Sequence, residues 1–368
     1  MASNAVIPPK NSSGSEPDPA SGSQAAAPAG SVQAAKARVV SGMRPTGRLH
    51  LGHLVGALGN WVPLQDQYDC FYFVADWHAL TSDYADTRQL TAYAYENVAD
   101  WIGAGLDPEK STFFVQSLVP EHAELYVLLS MVVPVPWLER VPTYREQQET
   151  LRDKDLSSIG FLGYPLLQTA DVAMYDAQFV PVGEDQVAHL ELAREVVRRF
   201  NNVFGADQKV LIEPQPLLTT FARLPGLDGD KKMSKSLGNT IHLSDTADEV
   251  KKKVMRMYTD PKRVRADIPG TVEGNPVFTY HDAFNPDTGE VEDLKARYRA
   301  GKVGDVEVKT KLARALNARL EPIRARRDTV LAQPDRLKEL LFEGSARARA
   351  AARQTMTRVR DAMRISYR

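Results

Sequence analysis

Two of the chain's seven histidines lie three residues apart, in Gly47-Arg48-Leu49-His50-Leu51-Gly52-His53. Val39, Val40, Ser41 and Gly42 just upstream read as a short buried strand, followed by the turn Arg44-Pro45-Thr46-Gly47. Downstream, Leu51, Leu54, Val55, Leu58 and Val62 recur at helical spacing, so a helix begins near His50. The histidines thus sit at a strand–turn–helix junction, where free backbone N–H groups and the helix dipole favour an anion. Gly52 lets a ligand lie against the backbone. Two imidazoles there could hydrogen-bond the charge that builds on a phosphate oxygen during displacement. On their own they are ordinary first-turn residues, and without carboxylate or cysteine partners they point only weakly to a metal.

The elements that must position them form an α/β pattern from Arg38 onward. Cys70-Phe71-Tyr72-Phe73-Val74-Ala75 is an apolar run of strand length, as a parallel strand buried on both faces requires. It empties into Asp76-Trp77-His78, polar groups at the end of a strand where open α/β sheets place ligands. A helix over 87–103 and a strand over 112–116 follow, giving half of a doubly wound, Rossmann-like parallel sheet. Residues 121–175 read as a helical insertion punctuated by Pro134, Pro136 and Pro142, with Lys154 in a polar loop and Asp171 inside an apolar helix. A strand over 178–182 leads to Gly183-Glu184-Asp185-Gln186 and a helix to about Phe200. His189 and Glu191 on that helix lack the order of a zinc motif and read as surface residues. Residues 214–230 are rich in turn formers, and beyond residue 240 the chain is mostly helical, with helices near 245–258, 291–299, 305–332 and 334–364.

Composition sets bounds. The chain is 43% hydrophobic and 25% charged over 368 residues, room for a full core and two domains. No apolar run approaches the ~20 residues of a membrane span, and the start of the chain lacks the layout of a secretory signal. The single cysteine, Cys70, excludes an intrachain disulfide framework and makes a reducing, cytoplasmic setting the default. Residues 1–36 hold nine Ala, seven Ser, five Pro and three Gly, too little apolar surface to offset their ordering entropy, and read as a disordered tail. Net charge is −1, yet residues 291–368 carry twenty Lys and Arg against ten Asp and Glu, leaving −11 for the rest. A second basic run lies at 251–265, and the imbalance suits a polyanion partner.

Far downstream of the histidines stands Lys232-Met233-Ser234-Lys235-Ser236. HLGH followed by KMSKS resembles the paired signature of class I aminoacyl-tRNA synthetases. Tyr164-Pro165-Leu166, Ala170-Asp171 and Val180-Pro181-Val182-Gly183-Glu184-Asp185-Gln186 narrow the likeness to the tryptophanyl-tRNA synthetases of bacterial type, with the tyrosyl enzymes as runner-up. The resemblance runs from about residue 38 to the C-terminus. It implies a catalytic domain over 37–235 and a helical tRNA anticodon-binding domain over 240–368 whose last helix packs back on the catalytic one. It also implies a homodimer that joins L-tryptophan to tRNA(Trp) with ATP.

By the same resemblance, His50, His53, Lys154, Lys232 and Lys235 act on the phosphates. Arg44, Pro45, Thr46, Gly52, Gly183, Glu184, Asp185, Leu224, Met233, Ser234 and Ser236 hold the rest of ATP. Asp171 accepts the indole N–H, and Tyr164 and Gln186 lie near the substrate amino group. No resident metal site is implied, since Mg²⁺ is held mainly by the ATP phosphates. Arg44 stands where bacterial members commonly have glutamine, and Gln168 where many have methionine. Two other readings are a nucleotidyltransferase acting on another small acid, and a synthetase paralogue with an added regulatory or partner-binding role.

Overall fold

A computed structural model describes residues 36–142, 144, 146, 156–206, 208–218, 224–229, 233 and 238–367, apart from the side chain of Asp185. The tail expected over 1–36 therefore falls almost wholly outside the described residues. So do Lys154, Lys232, Ser234, Lys235 and Ser236. Residues 36–368 pack as one compact unit.

Strands β1 (Arg38–Met43), β2 (Asp69–Val74), β3 (Ser111–Val115), β4 (Phe179–Val182) and β5 (Gln215–Leu218) form a parallel sheet in the order β3-β2-β1-β4-β5. From β1 the chain winds outward through β2 to β3, then returns to the other side of β1 for β4 and β5. The point of reversal lies between β1 and β4, where doubly wound sheets bind ligands. Pairing there has the register Val39↔Phe179, and the carboxyl ends of the two strands part beyond it. The strand β5 is missed by the sequence reading. It is four residues long, carries Pro216 and lies at the sheet edge, where a missing N–H is tolerated.

The helix after β1 runs over 51–67, further than the apolar spacing predicts. It contains one wide π-helical stretch, Leu54–Leu58, of the kind that recurs at functional sites. Its Trp61 stacks on Tyr72 of β2 at 4.5 Å and meets Trp101 edge-on at 5.4 Å. All three are buried, each worth roughly 1.5–3 kcal/mol on folding. This aromatic wedge fixes the first helix, and with it the histidine turn, against the sheet.

Helices Glu121–Ser130, Val135–Glu139 and Ile159–Ala173 lie in the insertion, and Val187–Phe204 follows β4. A helix over Asp76–Asp83, begun by polar residues, and one over Pro276–Phe284, capped by Asn275, are additions to the sequence reading. The remaining α-helices among the described residues are Leu90–Ala104, close to the helix expected over 87–103, and Ala247–Met255, Thr288–Arg299, Asp305–Leu331 and Pro334–Ala362.

Part of the positive excess of the last fifth is answered within the molecule. Arg327 pairs with buried Asp100 at 2.8 Å, Arg358 with Asp176 at 2.6 Å, and Arg349 and Arg353 with buried Glu121. Arg360 reaches Glu124 at 2.6 Å. These guanidinium groups join the basic end of the chain to its acidic first half. Lys251, Lys252, Arg256, Lys262 and Arg319 remain exposed.

Candidate active site

Two glycines shape the end of β1 and the turn after it. A Cβ on Gly42 would overlap the ring of Phe73, and Gly47 has φ +128°, a left-handed value other residues rarely adopt. The chain then enters its first helix through the two histidines, which cap it. The Gly52 N–H donates to His50 Nδ1 at 3.1 Å, and the His50 N–H donates to His53 Nδ1 at 3.2 Å. The pair thus does with imidazoles what a capping box does with a hydroxyl and a carboxylate. A backbone N–H aimed at Nδ1 makes that atom the acceptor, so each neutral ring carries its proton on Nε2. The rings lie 3.9 Å apart and present two N–H donors from one helix start.

A stretch that follows the second motif is joined to the first by backbone pairing. The Leu51 N–H donates to Ile241 O at 3.0 Å, and the Leu243 N–H to Leu49 O at 2.9 Å, so 49–51 and 241–243 run antiparallel. Arg48 meets Asp245 at 3.3 Å, and Lys253 binds the same carboxylate from helix Ala247–Met255. Burial would push the Asp245 carboxyl up, but His242 and Lys253 outweigh it and hold it at about 2. A Cβ on Gly52 would lie 3.5 Å from Met233 Sδ, which places the methionine of the lysine motif against the glycine of the histidine motif.

Beside this junction a cavity of about 350 Å³ opens at the carboxyl ends of β1, β2 and β4. Its wall includes Gly42, Arg44, Tyr164, Gln168, Gly183 and Gln186. Asp171 reaches it from helix Ile159–Ala173 and is 1% exposed, so it is no solvated helix residue. Its Oδ1 accepts from Gln116 Nε2 at 2.8 Å and from His122 Nδ1 at 2.7 Å, and its Oδ2 from His78 Nε2 at 2.7 Å. Burial pushes the Asp171 carboxyl up, but His78 and then His122 outweigh it and hold it at about 2. The group is an anion with three donors in place. A carboxylate offers about four acceptor positions, which leaves one on Oδ2 for a donor in the cavity.

Behind His122 stands Tyr175, whose hydroxyl lies 2.6 Å from Nε2. Burial and the Asp171 charge push that phenol well up, so it stays protonated and donates. A continuous hydrogen-bonded chain thus links Tyr175, His122 and Asp171.

Gln116, His122 and Tyr175 are absent from the sequence-derived site, and His78 has no role there beyond its place at the exit of β2. Gln116 follows β3 directly, so the same strand-exit signal could have found it. His189 is a correction. It is 3% exposed, sits 3.2 Å from the Tyr164 hydroxyl and lines the cavity, because it falls on the inward face of its amphipathic helix. Glu191 is exposed and pairs with Arg194. Pro45 is buried, Thr46 and Glu184 are exposed, and Leu224 is buried in the core cluster that also holds Met233. Among the described residues no group of three His, Cys, Asp or Glu side chains is arranged to hold a metal. Nor is any described helix long and apolar enough to cross a membrane.

The family described as tRNA synthetases class I (W and Y) matches residues 33–321. The tryptophan–tRNA ligase of Treponema pallidum is 51% identical over 90% of this chain and 98% of its own length. That of Thermotoga maritima is 47% identical over 90% of this chain and 100% of its own. Among solved structures, tryptophanyl-tRNA synthetase from Campylobacter jejuni, complexed with ADP and tryptophan, superposes with a TM-score of 0.79 at 32% identity. The match covers 89% of this chain and 99% of that one.

Proposed function

The chain belongs to the class I tRNA synthetases for tryptophan and tyrosine, and within that family we infer that it is a tryptophan–tRNA ligase. It joins L-tryptophan to ATP, forming tryptophanyl-adenylate and pyrophosphate, and passes the tryptophanyl group to the terminal adenosine of tRNA(Trp). Relatives of that activity at about half identity over nearly their whole length support this. The observation that carries the choice of amino acid is Asp171, a buried anion facing a cavity sized for one aromatic amino acid.

In the first step a substrate carboxylate oxygen attacks the α-phosphorus, and the bond to the bridging oxygen of pyrophosphate breaks. The substrate is the nucleophile, so the protein supplies position and charge. The Nε2–H groups of His50 and His53 donate to phosphate oxygens where negative charge grows. Lys232 and Lys235 take the departing pyrophosphate, with Lys154 reaching in. The turn Arg44-Pro45-Thr46, Gly52, Gly183, Glu184, Asp185, Leu224, Met233, Ser234 and Ser236 hold the nucleotide. Mg²⁺ arrives with ATP, bound mainly by its phosphates. Tyr164 and Gln186 meet the substrate amino group, while the indole N–H donates to Asp171.

Beyond residue 240 the exposed basic groups take the tRNA anticodon region. The enzyme works as a homodimer in the cytoplasm. The test is ATP–pyrophosphate exchange with each of the twenty amino acids, then charging of total tRNA. Tryptophan alone should support both steps. Exchange driven by tyrosine would overturn the reading.

A further inference from the structure

Two of the three donors on Asp171 come from one short stretch of chain. Gln116 follows β3 directly, and His122 is the second residue of helix Glu121–Ser130. Among the described residues β3 lies at the edge of the sheet, with β2 as its only strand neighbour. Its outer side is closed by the last helix, Pro334–Ala362.

That closure is specific. A Cβ on Gly344 would overlap the carbonyl oxygen of Phe113, so glycine is what lets the helix backbone lie on the strand. The next residue, Ser345, is 4% exposed. Its Oγ accepts the Val115 N–H at 3.2 Å, one residue before Gln116, and donates to Leu341 O at 2.6 Å. Further along the helix, Arg349 Nε and Arg353 Nε lie 2.9 and 3.3 Å from Glu121 Oε1. Glu121 is 6% exposed and directly precedes His122. Both ends of the stretch that carries Gln116 and His122 are thus gripped by one helix.

We propose that helix Pro334–Ala362 positions the amino-acid pocket, with Ser345, Arg349 and Arg353 holding Gln116 and His122 against Asp171. The proposal rests on Asp171 being the acceptor for the indole N–H. Ser345, Arg349 and Arg353 are positioning residues, since they act through the stretch 115–122. The two arginines are withdrawn from the set expected to meet tRNA, because a buried carboxylate already engages them.

The test uses the full chain and exchange without tRNA, measured against tryptophan and against benzothienyl-alanine, which lacks the indole N–H. Arg349→Gln/Arg353→Gln should raise the tryptophan KM about three- to tenfold and narrow the preference for tryptophan, with the ATP KM unchanged. Arg349→Lys/Arg353→Lys should restore most of both. Ser345→Ala, a smaller change that keeps the helix packed, should move the tryptophan KM in the same direction.

An unchanged tryptophan KM in the glutamine double variant would overturn the proposal, whether the tRNA KM rises or the melting temperature falls. Should the double variant fail to fold, an unchanged tryptophan KM in Ser345→Ala would overturn it equally. Asp171→Ala, which removes the acceptor, is run alongside. If it leaves the preference between the two amino acids intact, the indole assignment itself fails, whatever the arginine variants do.

Discussion

His50 and His53 are three residues apart and oriented by their own backbone; His78 and His122 are forty-four residues apart and oriented by one carboxylate. In the first pair a main-chain N–H occupies each Nδ1, which puts the proton of each neutral ring on Nε2. In the second pair a ring N–H is spent on Asp171, and the product of the arrangement is the anion itself. On the proposed function one pair donates to a ligand and the other prepares an acceptor for one. The first needs only a turn and a glycine. The second needs two strand exits, two helices and a buried cavity wall. A donor to a phosphate can be set by local backbone geometry, whereas a pocket that recognises one side chain has to be assembled from distant parts.

The comparison is broken or sharpened first at the histidine turn. His50→Ala or His53→Ala should lower the rate of tryptophan-dependent pyrophosphate exchange by ~10²–10³, the scale of losing one preorganised donor, with the tryptophan KM little changed. Near-normal exchange in both variants would reduce the pair to helix caps. At the other pair the parameter that moves should be the opposite one. Asp171→Ala removes an ionised acceptor, and the tryptophan KM should rise by ~10–10², as expected for a hydrogen bond to a charged group. His122→Ala, which leaves His78 and Gln116 on the carboxylate, should raise it less. If either change instead lowered only the exchange rate, the division of labour between the pairs would not hold.

A smaller effect lies in the acid limb of stability. Asp171 titrates at about 2 in the folded chain, below the ~3.9 of an unfolded aspartate. Its contribution is therefore full above about pH 4 and is lost as the pH falls toward 2. Thermal melts between pH 3 and 6 should show a shallower acid loss for Asp171→Asn than for the parent. Parallel curves would mean that the histidines do not hold the carboxyl down. The smallest effect on activation is expected far from both pairs. Exchanging Lys251, Lys252 and Arg256 for glutamine should leave pyrophosphate exchange intact while weakening charging of tRNA. The salt slope of tRNA binding should fall by about one per lost phosphate contact. Equal damage to both steps would show that these residues serve the fold.

How far the sequence could be read follows the same division. The strand–turn–helix around His50, the apolar strand 69–74 and the long C-terminal helices were legible because their signals are local: spacing, a glycine, a run of one kind of side chain. The helix over Asp76–Asp83 was not, since its first residues looked like a strand exit and nothing more. Asp171 stood out as a charge in an apolar helix, yet its partners gave no local sign. Gln116 lies 55 positions away and His122 49, on other elements. His189 was misread for the same reason, because a motif test asks about neighbours in sequence while its partner Tyr164 lies a strand away.

By itself the amino-acid sequence pointed to chemistry on a nucleotide, through HLGH and KMSKS, and determined the class of fold that would hold it. Those features depend on interactions within a few residues, and such interactions survive being read in one dimension. Only the tertiary structure decided that Asp171 is an anion with three donors, that residues 49–51 and 241–243 pair, and that Met233 lies against Gly52. It also decided that a good part of the C-terminal positive charge faces Glu121, Glu124 and Asp176 inside the molecule. A net charge counts groups without their distances. Because Coulomb energy and hydrogen bonding fall off over a few ångströms, what each charge is for was settled when the chain folded back on its own sheet.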